Sequence, residues 1–322
     1  RDYKVTGVQT CALPISLTRK LRKLNTGADA MLRIGLFLAT NFAIMLLISL
    51  IFQIFGLEGI LAENGVDLNL TALLVMSGVI GFGGSIISLL MSKWLAKRSM
   101  KVQIIETPQN QTEQWLLQVV KQQAHQAGIN MPEVGIFDSQ SPNAFATGAN
   151  KNNALVAVST GLLQQMNKDE VEAVLGHEIT HVSNGDMITL TLIQGVVNTF
   201  VIFFSRILGH FIDRVIMKNE RGFGIGYYIG SFVGQIVFSL LANIIVSWFS
   251  RRREFKADIG GAELAGRNKM INALRRLQQS TNPQPMPDEM AAFGISGAGV
   301  VKELFSTHPP LEVRIKALEA GN

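Results

Sequence analysis

His177-Glu178-Ile179-Thr180-His181 contains two histidines four positions apart, with a glutamate directly after the first. On an α-helix such residues lie on one face, so both imidazoles can bind one metal ion. A first-row metal held in this way needs a third protein ligand and keeps a position for water, whose proton the intervening glutamate can take. The pattern therefore predicts a zinc peptidase site with His177 and His181 as metal ligands and Glu178 as the catalytic base.

The bulk composition indicates a membrane protein. Hydrophobic residues make up 48% of the 322 positions and charged residues only 16%, which is unusual for a wholly soluble chain. The net charge is +5, but the basic residues gather beside apolar runs, so we expect no nucleic acid partner. The single cysteine, Cys11, can supply neither an internal disulfide nor a thiolate cluster, so any metal ligands have to be histidines and carboxylates.

Residues 1–16 differ from the rest of the chain. They show neither helical nor strand periodicity and lack the order of a signal peptide. They resemble translated sequencing-adapter sequence, so we interpret them as a non-native segment without a functional role.

Residues 17–101 predict an N-terminal transmembrane hairpin. Its helices are the uncharged runs at about 34–55 and 71–92, each long enough to cross a hydrocarbon core of roughly 30 Å. Acidic residues lie between the runs and basic residues flank them outside, so the positive-inside rule places both outer flanks in the cytoplasm. Glycines at positions 78, 81, 83 and 84 favour close helix packing.

Residues 102–186 predict the first part of a cytoplasmic protease domain. A helical pattern covers 112–126, and β-rich runs cover 132–138 and 153–159. The helix that carries the two histidines is expected to begin at Asn167, with Glu170 completing a capping box, and to end at Asn184-Gly185.

Residues 187–250 predict a second hydrophobic hairpin, from uncharged runs at 187–205 and 222–250. The connection between the runs carries more basic than acidic residues, which is atypical of a non-cytoplasmic loop. The hairpin therefore either crosses the membrane or lies partly embedded in its interface. Residues 251–322 follow as the second part of the protease domain, with a Pro- and Gly-bearing loop at 281–300 and a last helix at 309–318.

The third metal ligand is expected after the second hairpin. The metzincin pattern would place a histidine at position 187, where this chain has Met187. If both runs cross, Asp213 and Glu220 lie on the wrong side of the membrane. Glu254 and Asp258 are the next acids, and their spacing puts them on one helix face.

We assign Glu254 to the metal and Asp258 to a hydrogen bond with the second ring nitrogen of a ligand histidine. The alternative for Glu254 is an ion pair with the Arg251–Arg253 cluster. The alternative for Asp258 is a solvated acid.

Four motifs in this order resemble the HtpX family of bacterial membrane zinc metallopeptidases, relatives of the CAAX prenyl proteases. They are SPNAFATG at 141–148, HEITH at 177–181, RRREFKAD at 251–258 and FSTHPPL at 305–311, and the likeness extends from about residue 17 to the end. It implies a mainly α integral membrane protein with about four transmembrane helices and a cytoplasmic α+β, gluzincin-like zincin domain that carries a small β-sheet.

The resemblance also implies an activity and a location. One Zn²⁺ per chain would be held by His177, His181 and Glu254, with Glu178 as the base. The enzyme would be a zinc metalloendopeptidase in the bacterial inner membrane, with its active site facing the cytoplasm. Its partners would be misfolded or damaged membrane proteins or unfolded polypeptides as substrates, the lipid bilayer, and other membrane quality-control proteases.

Two further residues follow from this comparison. Asn143 lies just ahead of an edge-like segment that can align an extended peptide, and it would contact the substrate main chain; alternatively it caps a turn after Pro142. His308 precedes a rigid Pro-Pro turn and would donate to the oxyanion; alternatively it is a structural loop histidine.

A different class of function fits part of the pattern. The chain would then be a membrane scaffold or regulator whose metal site is purely structural. The intact glutamate of the HEITH motif argues against this alternative, because a structural site has no use for a general base.

Overall fold

The computed structural model describes residues 68–220, 222–280 and 307–321, together with isolated residues between 50 and 63. All of them belong to one structural unit, residues 47–322. The segment 1–16, nearly all of the predicted helix at 34–55 and the loop at 281–300 lie outside the described residues.

The described part is mostly helical, as predicted, and contains one small sheet. In chain order the elements are α1 (Leu70–Ser99), β1 (Gln103–Ile104), α2 (Gln111–Ala127), β2 (Glu133–Phe137), β3 (Ala144–Asn150), β4 (Asn153–Ser159), α3 (Thr160–Gln165), α4 (Lys168–Asn184), α5 (Asp186–Phe211), a π-helical turn (Ile212–Ile216), α6 (Ile225–Ala265), α7 (Arg267–Ser280) and α8 (Leu311–Glu319).

Three of the described helices are long and apolar enough to cross a membrane: α1, α5 with its π-helical turn, and α6. Helix α6 has 41 residues, and at about 1.5 Å per residue it extends for roughly 60 Å. Since a hydrocarbon core measures about 30 Å, α6 is long enough to continue well beyond the bilayer. The boundary predicted at residue 250 falls inside this continuous helix.

Helices α1 and α5 pack closely at Gly81. A Cβ atom added to Gly81 would lie 2.7 Å from the backbone nitrogen of Thr199 and 3.0 Å from the carbonyl oxygen of Gly195, so only glycine fits there. Gly83 and Gly84, by contrast, have no atom of the described residues within 4 Å of an added Cβ. Within the described part of the chain, the expected packing role is therefore confirmed at Gly81 and has no contact to support it at Gly83 or Gly84.

The connection between α5 and α6 uses its basic residues internally. Arg214 donates to the carbonyl oxygens of Asn219 at 2.8 Å and Gly222 at 3.2 Å. Arg206 donates to the hydroxyl of Tyr227 at 2.9 Å. These contacts give Arg206, in α5, and Arg214, in the π-helical turn, a structural role.

The sheet has the order β1-β2-β4-β3. Strands β2 and β4 are parallel, and the other two pairs are antiparallel. The two β-rich runs foreseen from the sequence form β2 and β4, whereas the two-residue β1 was not foreseen. Strand β4 is buried from Ala154 to Ser159, and β3 is an edge strand that packs against α4.

The basic C-terminal end of helix α1 forms ion pairs with the sheet. Lys93 Nζ lies 3.0 Å from Glu133 Oε1 and donates to Asn153 Oδ1 at 2.6 Å, and Lys97 also pairs with Glu133. Burial raises the pKa of Glu133, but the hydrogen bonds from the two lysines outweigh it and lower the pKa. Residues that signal topology in the sequence thus also join a candidate membrane helix to the sheet.

Helix α4 has the ends that the sequence predicts. Asn167 accepts from the backbone N–H of Glu170 while the Glu170 side chain accepts from Asn167, so the capping box is confirmed. Gly185 ends the helix with a φ of 70°, a left-handed conformation that favours glycine. Helix α5 begins at the next residue, Asp186, so one residue separates the helix with the histidines from a candidate membrane span.

We expect Gly81→Ala to destabilise the protein because the new methyl group would force α1 and α5 apart. Overpacking of this kind costs about 1–3 kcal/mol, which exceeds the gain of about 0.5–1 kcal/mol that alanine normally brings to a helix. The measurement is the thermal unfolding midpoint in detergent. Gly84→Ala is the matched control, and an equal midpoint for the two variants would contradict the packing role.

Candidate metal centre

Helix α4 presents two imidazoles to one point. His177 is buried and His181 is partly buried, and their rings meet edge to face with centroids 4.6 Å apart. The two Nε2 atoms are separated by only 3.1 Å. The four-residue spacing within a helix accounts for this convergence.

Helix α6 brings a carboxylate to the same point. Glu254 Oε1 lies 3.4 Å from Nε2 of His181, and Oε2 lies 3.5 Å from Nε2 of His177. One ligand atom from each of the three residues lies within 4.8 Å of the others. Among the described residues, this is the one group of histidine, cysteine and acidic side chains that meets the geometry of a metal site.

The outer ring nitrogens of both histidines contact carboxylates. His177 Nδ1 lies 3.0 Å from Asp258 Oδ1, and His181 Nδ1 lies 2.7 Å from Asp186 Oδ2. Such bonds fix the tautomer in which Nδ1 carries the proton and Nε2 is free to bind a metal.

The donor set therefore fits a divalent cation. Two imidazole Nε2 lone pairs 3.1 Å apart repel each other unless a cation or a proton lies near them. Two nitrogens and one carboxylate are ligands that Zn²⁺ takes in catalytic sites with an open fourth position.

The carboxylates raise the proton affinity of both imidazoles. Burial lowers the pKa of His181, but hydrogen bonds to Asp186 and Glu254 outweigh it and raise the pKa to about 9. Burial likewise lowers the pKa of His177, and the bonds to Asp258 and Glu254 raise it above its ordinary value. A metal ion therefore has to displace the proton of His181 when it binds at neutral pH.

Glycines allow α4 and α6 to approach closely enough for these contacts. A Cβ atom on Gly261 would lie 3.0 Å from the backbone nitrogen of His177, and one on Gly260 would overlap the Thr180 side chain. Any larger residue at these positions pushes α6, and Glu254 with it, away from the histidines.

Glu178 lies beside the centre and is partly exposed. Its negative charge contributes to the raised pKa of both His177 and His181. Among the described residues its carboxylate has no hydrogen-bond or salt-bridge partner, which leaves it available for proton transfer.

The C-terminal segment reaches the centre from the other side. His308 Nδ1 lies 2.7 Å from Glu254 Oε2, although 63% of the His308 side chain is exposed. Arg314, on α8, is buried and forms two hydrogen bonds with Asp258. The structure thus brings His308 to a carboxylate of the site, and its expected role with substrate stays a prediction.

Asn143 directly precedes the edge strand β3. Its backbone N–H donates to Ser159 Oγ at 2.9 Å, and its carbonyl oxygen accepts from the Ser159 N–H at 2.8 Å. The residue is exposed. These contacts fit the alternative of a turn residue, and the contact with substrate stays a prediction.

The alternatives for the two acids of α6 do not fit the described contacts. Arg253 donates to the Asp186 carbonyl and to Ser250, whereas the described partners of Glu254 are three histidines and Arg314. Asp258 is 1% exposed, so its interpretation as a solvated acid is wrong.

Sequence reasoning missed Asp186 and Arg314. Asp186 follows the glycine that ends α4. Its position five residues after His181 was the one feature of the sequence that could have indicated a hydrogen bond between the two side chains. Arg314 follows the FSTHPPL motif by three residues, but no local pattern tells a buried arginine from an exposed one.

Known proteins match this chain over most of its length. The model of Peptidase family M48 matches residues 110–321. Protease HtpX of Pseudoalteromonas atlantica is 65% identical over 291 residues, which cover 90% of this chain and 100% of the relative. Protease HtpX of Thioalkalivibrio sulfidiphilus is 63% identical over 292 residues, 90% of this chain and 99% of the relative.

A solved structure supports the fold. The crystal structure of S. mikatae Ste24p is similar with a TM-score of 0.57 and 17% sequence identity, over 94% of this chain and 67% of that one. At this identity the likeness concerns the fold alone.

We expect Gly260→Ala to weaken metal binding, because its methyl group would collide with Thr180 and separate α6 from α4. A displacement of a few tenths of an ångström suffices to spoil the alignment of Glu254 with the imidazoles. Zinc affinity of the purified chain, measured by chelator competition, should fall by about 10-fold or more.

The double variant Gly260→Ala/Thr180→Ala tests the cause, since it removes the colliding atoms. Coupling between contacting residues should restore most of the affinity. An equal loss in the single and double variants would count against the close approach of the helices.

Metal affinity should also depend on pH. His181 is protonated below a pKa of about 9 and the metal needs neutral Nε2, so affinity falls as pH decreases through this value. The expected loss is about tenfold per pH unit for each proton displaced. In Asp186→Asn the acceptor that raises this pKa is gone, so the pH dependence should begin at lower pH. An affinity independent of pH between about pH 6 and 9 would contradict the assignment.

Proposed function

Because this chain belongs to peptidase family M48 and, within it, to the HtpX proteases, we propose that it is a membrane-bound zinc endopeptidase that cleaves misfolded or damaged membrane proteins. The observation that carries the proposal is the convergence of His177, His181 and Glu254 with Glu178 beside them.

In this proposal, one set of residues holds the metal ion and another residue transfers the proton. His177, His181 and Glu254 would hold one Zn²⁺, with Asp258 and Asp186 keeping the two imidazoles in the required tautomer. When bound, Zn²⁺ supplies Lewis-acid chemistry that polarises the scissile carbonyl and makes water acidic enough to react near neutral pH.

Glu178 performs the proton transfer in this proposal. Its carboxylate takes a proton from the attacking water and then gives it to the leaving amine. The absence of a competing partner among the described residues supports this role. Water is the nucleophile, so the peptide is not transferred to a side chain of the enzyme.

Strand β3 is the proposed platform for the substrate backbone. It is an edge strand that packs against α4, so an extended peptide can pair with it beside the metal centre. Asn143 would contact the substrate main chain where β3 begins. His308 would stabilise the oxyanion from the opposite side.

The centre lies where the membrane helices enter the protease domain. The basic end of α1 contacts the sheet, α5 begins at Asp186, and Glu254 follows the apolar part of α6. The Lys and Arg residues at these ends favour the cytoplasmic side. The proposal therefore places a multi-pass enzyme in the bacterial inner membrane with its active site facing the cytoplasm.

This position suits substrates delivered by the membrane. Loops and unfolded segments of membrane proteins would reach the centre at the cytoplasmic surface of the lipid bilayer. We propose that the enzyme acts in protein quality control beside other membrane proteases, and that nucleic acid is not a partner.

Glu178→Gln should abolish proteolysis while leaving metal binding intact, because the amide keeps the shape of the side chain but accepts no proton. The expected loss in kcat is at least about 100-fold. The measurement is cleavage of an unfolded membrane protein by the purified chain in detergent, before and after chelation and zinc restoration.

His177→Ala serves as the comparison, since it should lose both metal and activity. A scaffold with a structural metal would show no chelator-sensitive cleavage in the wild type. Wild-type cleavage rates for Glu178→Gln would show that Glu178 is not the base.

A further inference from the structure

Arg314 is a buried cation at the metal centre that the peptidase mechanism does not use. It is 6% exposed and lies on α8, the last helix, near the buried apolar residues Ile315 and Leu318. A guanidinium ion in such a place needs a specific partner, because burying an unpaired charge is costly.

The partner is Asp258. Arg314 Nε donates to Oδ2 at 2.8 Å, and Nη2 donates to Oδ1 at 2.6 Å. Two parallel hydrogen bonds from one planar group fix both the position and the rotation of the carboxylate.

Asp258 Oδ1 has a second contact, with Nδ1 of His177 at 3.0 Å. Nη2 of Arg314 and Nδ1 of His177 lie 3.5 Å apart, and Oδ1 accepts from both. The two hydrogen bonds from Arg314 therefore hold the Asp258 carboxylate in the orientation in which Oδ1 faces Nδ1 of His177.

The charges at the centre favour the same arrangement. Nη1 of Arg314 lies 3.5 Å from Glu254 Oε2, so one guanidinium faces both acids of α6. Glu254 and Asp258 are 2% and 1% exposed, and two buried carboxylates one helical turn apart repel each other without a cation.

We propose that Arg314 is a positioning residue for the metal centre. Its planar guanidinium holds Asp258 in the orientation that accepts the Nδ1–H of His177, and this presents Nε2 of His177 to the metal. The inference rests on the metal site of the proposed function.

The variant Arg314→Lys tests whether the centre needs the planar shape of the guanidinium or only its positive charge. Lysine keeps the positive charge but offers a single ammonium group, which cannot make two parallel bonds to a carboxylate. We expect the dissociation constant for Co²⁺, used as a spectroscopic substitute for Zn²⁺, to rise by about 10- to 100-fold. The visible absorption bands of bound Co²⁺ should also shift, because they report ligand geometry.

Leu318→Ala is the matched control on α8. It removes a buried apolar contact of the same helix and leaves the guanidinium in place. We expect its unfolding midpoint to fall while its Co²⁺ spectrum stays that of the wild type. The same spectral change in Leu318→Ala and Arg314→Lys would overturn the proposal, because loosening α8 would then be sufficient.

A second variant covers the case in which Arg314→Lys does not fold. Arg314→Gln leaves Asp258 intact and replaces the guanidinium with a neutral amide that cannot make two parallel bonds to the carboxylate. Weakened Co²⁺ binding with a shifted spectrum supports the proposal, and wild-type affinity and spectrum in this variant overturn it.

Full-length wild-type protein in detergent provides the reference. Its failure to bind Co²⁺ or Zn²⁺ would refute the metal site itself. Tight wild-type binding together with unchanged Arg314→Lys binding would refute the positioning role alone.

Discussion

The burial of the Glu254 carboxylate is the constraint on which the rest of the centre depends. A carboxylate with 2% exposure has lost most of its hydration, and this loss is tolerable only with cations or strong hydrogen-bond donors within a few ångströms. Two imidazoles from α4, the His308 ring and the Arg314 guanidinium provide these contacts. The two imidazoles come close to the carboxylate because glycines let α4 and α6 pack almost backbone to backbone. The candidate metal ligands and the packing of α4, α6 and the C-terminal segment are thus interdependent.

Helix α6 couples this arrangement to the bilayer. The same continuous helix contains the apolar segment of a candidate span and, beyond it, Glu254 and Asp258. Helix α5 does the same in reverse, since its first residue is Asp186, the hydrogen-bond partner of His181. Both connections lack a flexible linker, so a tilt or shift of either helix moves a carboxylate of the centre. The position of α6 therefore bears directly on the geometry of the candidate metal site.

Much of the fold and part of the site could be predicted from local patterns. The capping box at Asn167 and the terminal glycine at 185 define α4, because caps satisfy the free backbone groups at a helix end within a few residues of sequence. The apolar runs indicate spans for a similar reason, since length and charge alone decide whether a segment can cross lipid. Strand β1 was missed because its two residues owe their conformation to pairing with β2. The glycines of α1 looked alike in sequence, and only the position of α5 distinguishes Gly81 from Gly84.

The sequence by itself determined the chemistry: two histidines and a glutamate on one helix face, an acid pair spaced one turn apart, and apolar runs between them. These are properties of helix periodicity, side-chain type and local hydropathy, which can be read from a contiguous stretch of sequence. Only the tertiary structure decided which oxygen faces which nitrogen, because the participants come from α4, α5, α6 and α8 and meet through packing. It assigned Asp186 to His181 and Asp258 to His177, and it placed Arg314 inside the centre. A buried arginine carries no local signature, since its partner lies 56 positions away along the chain.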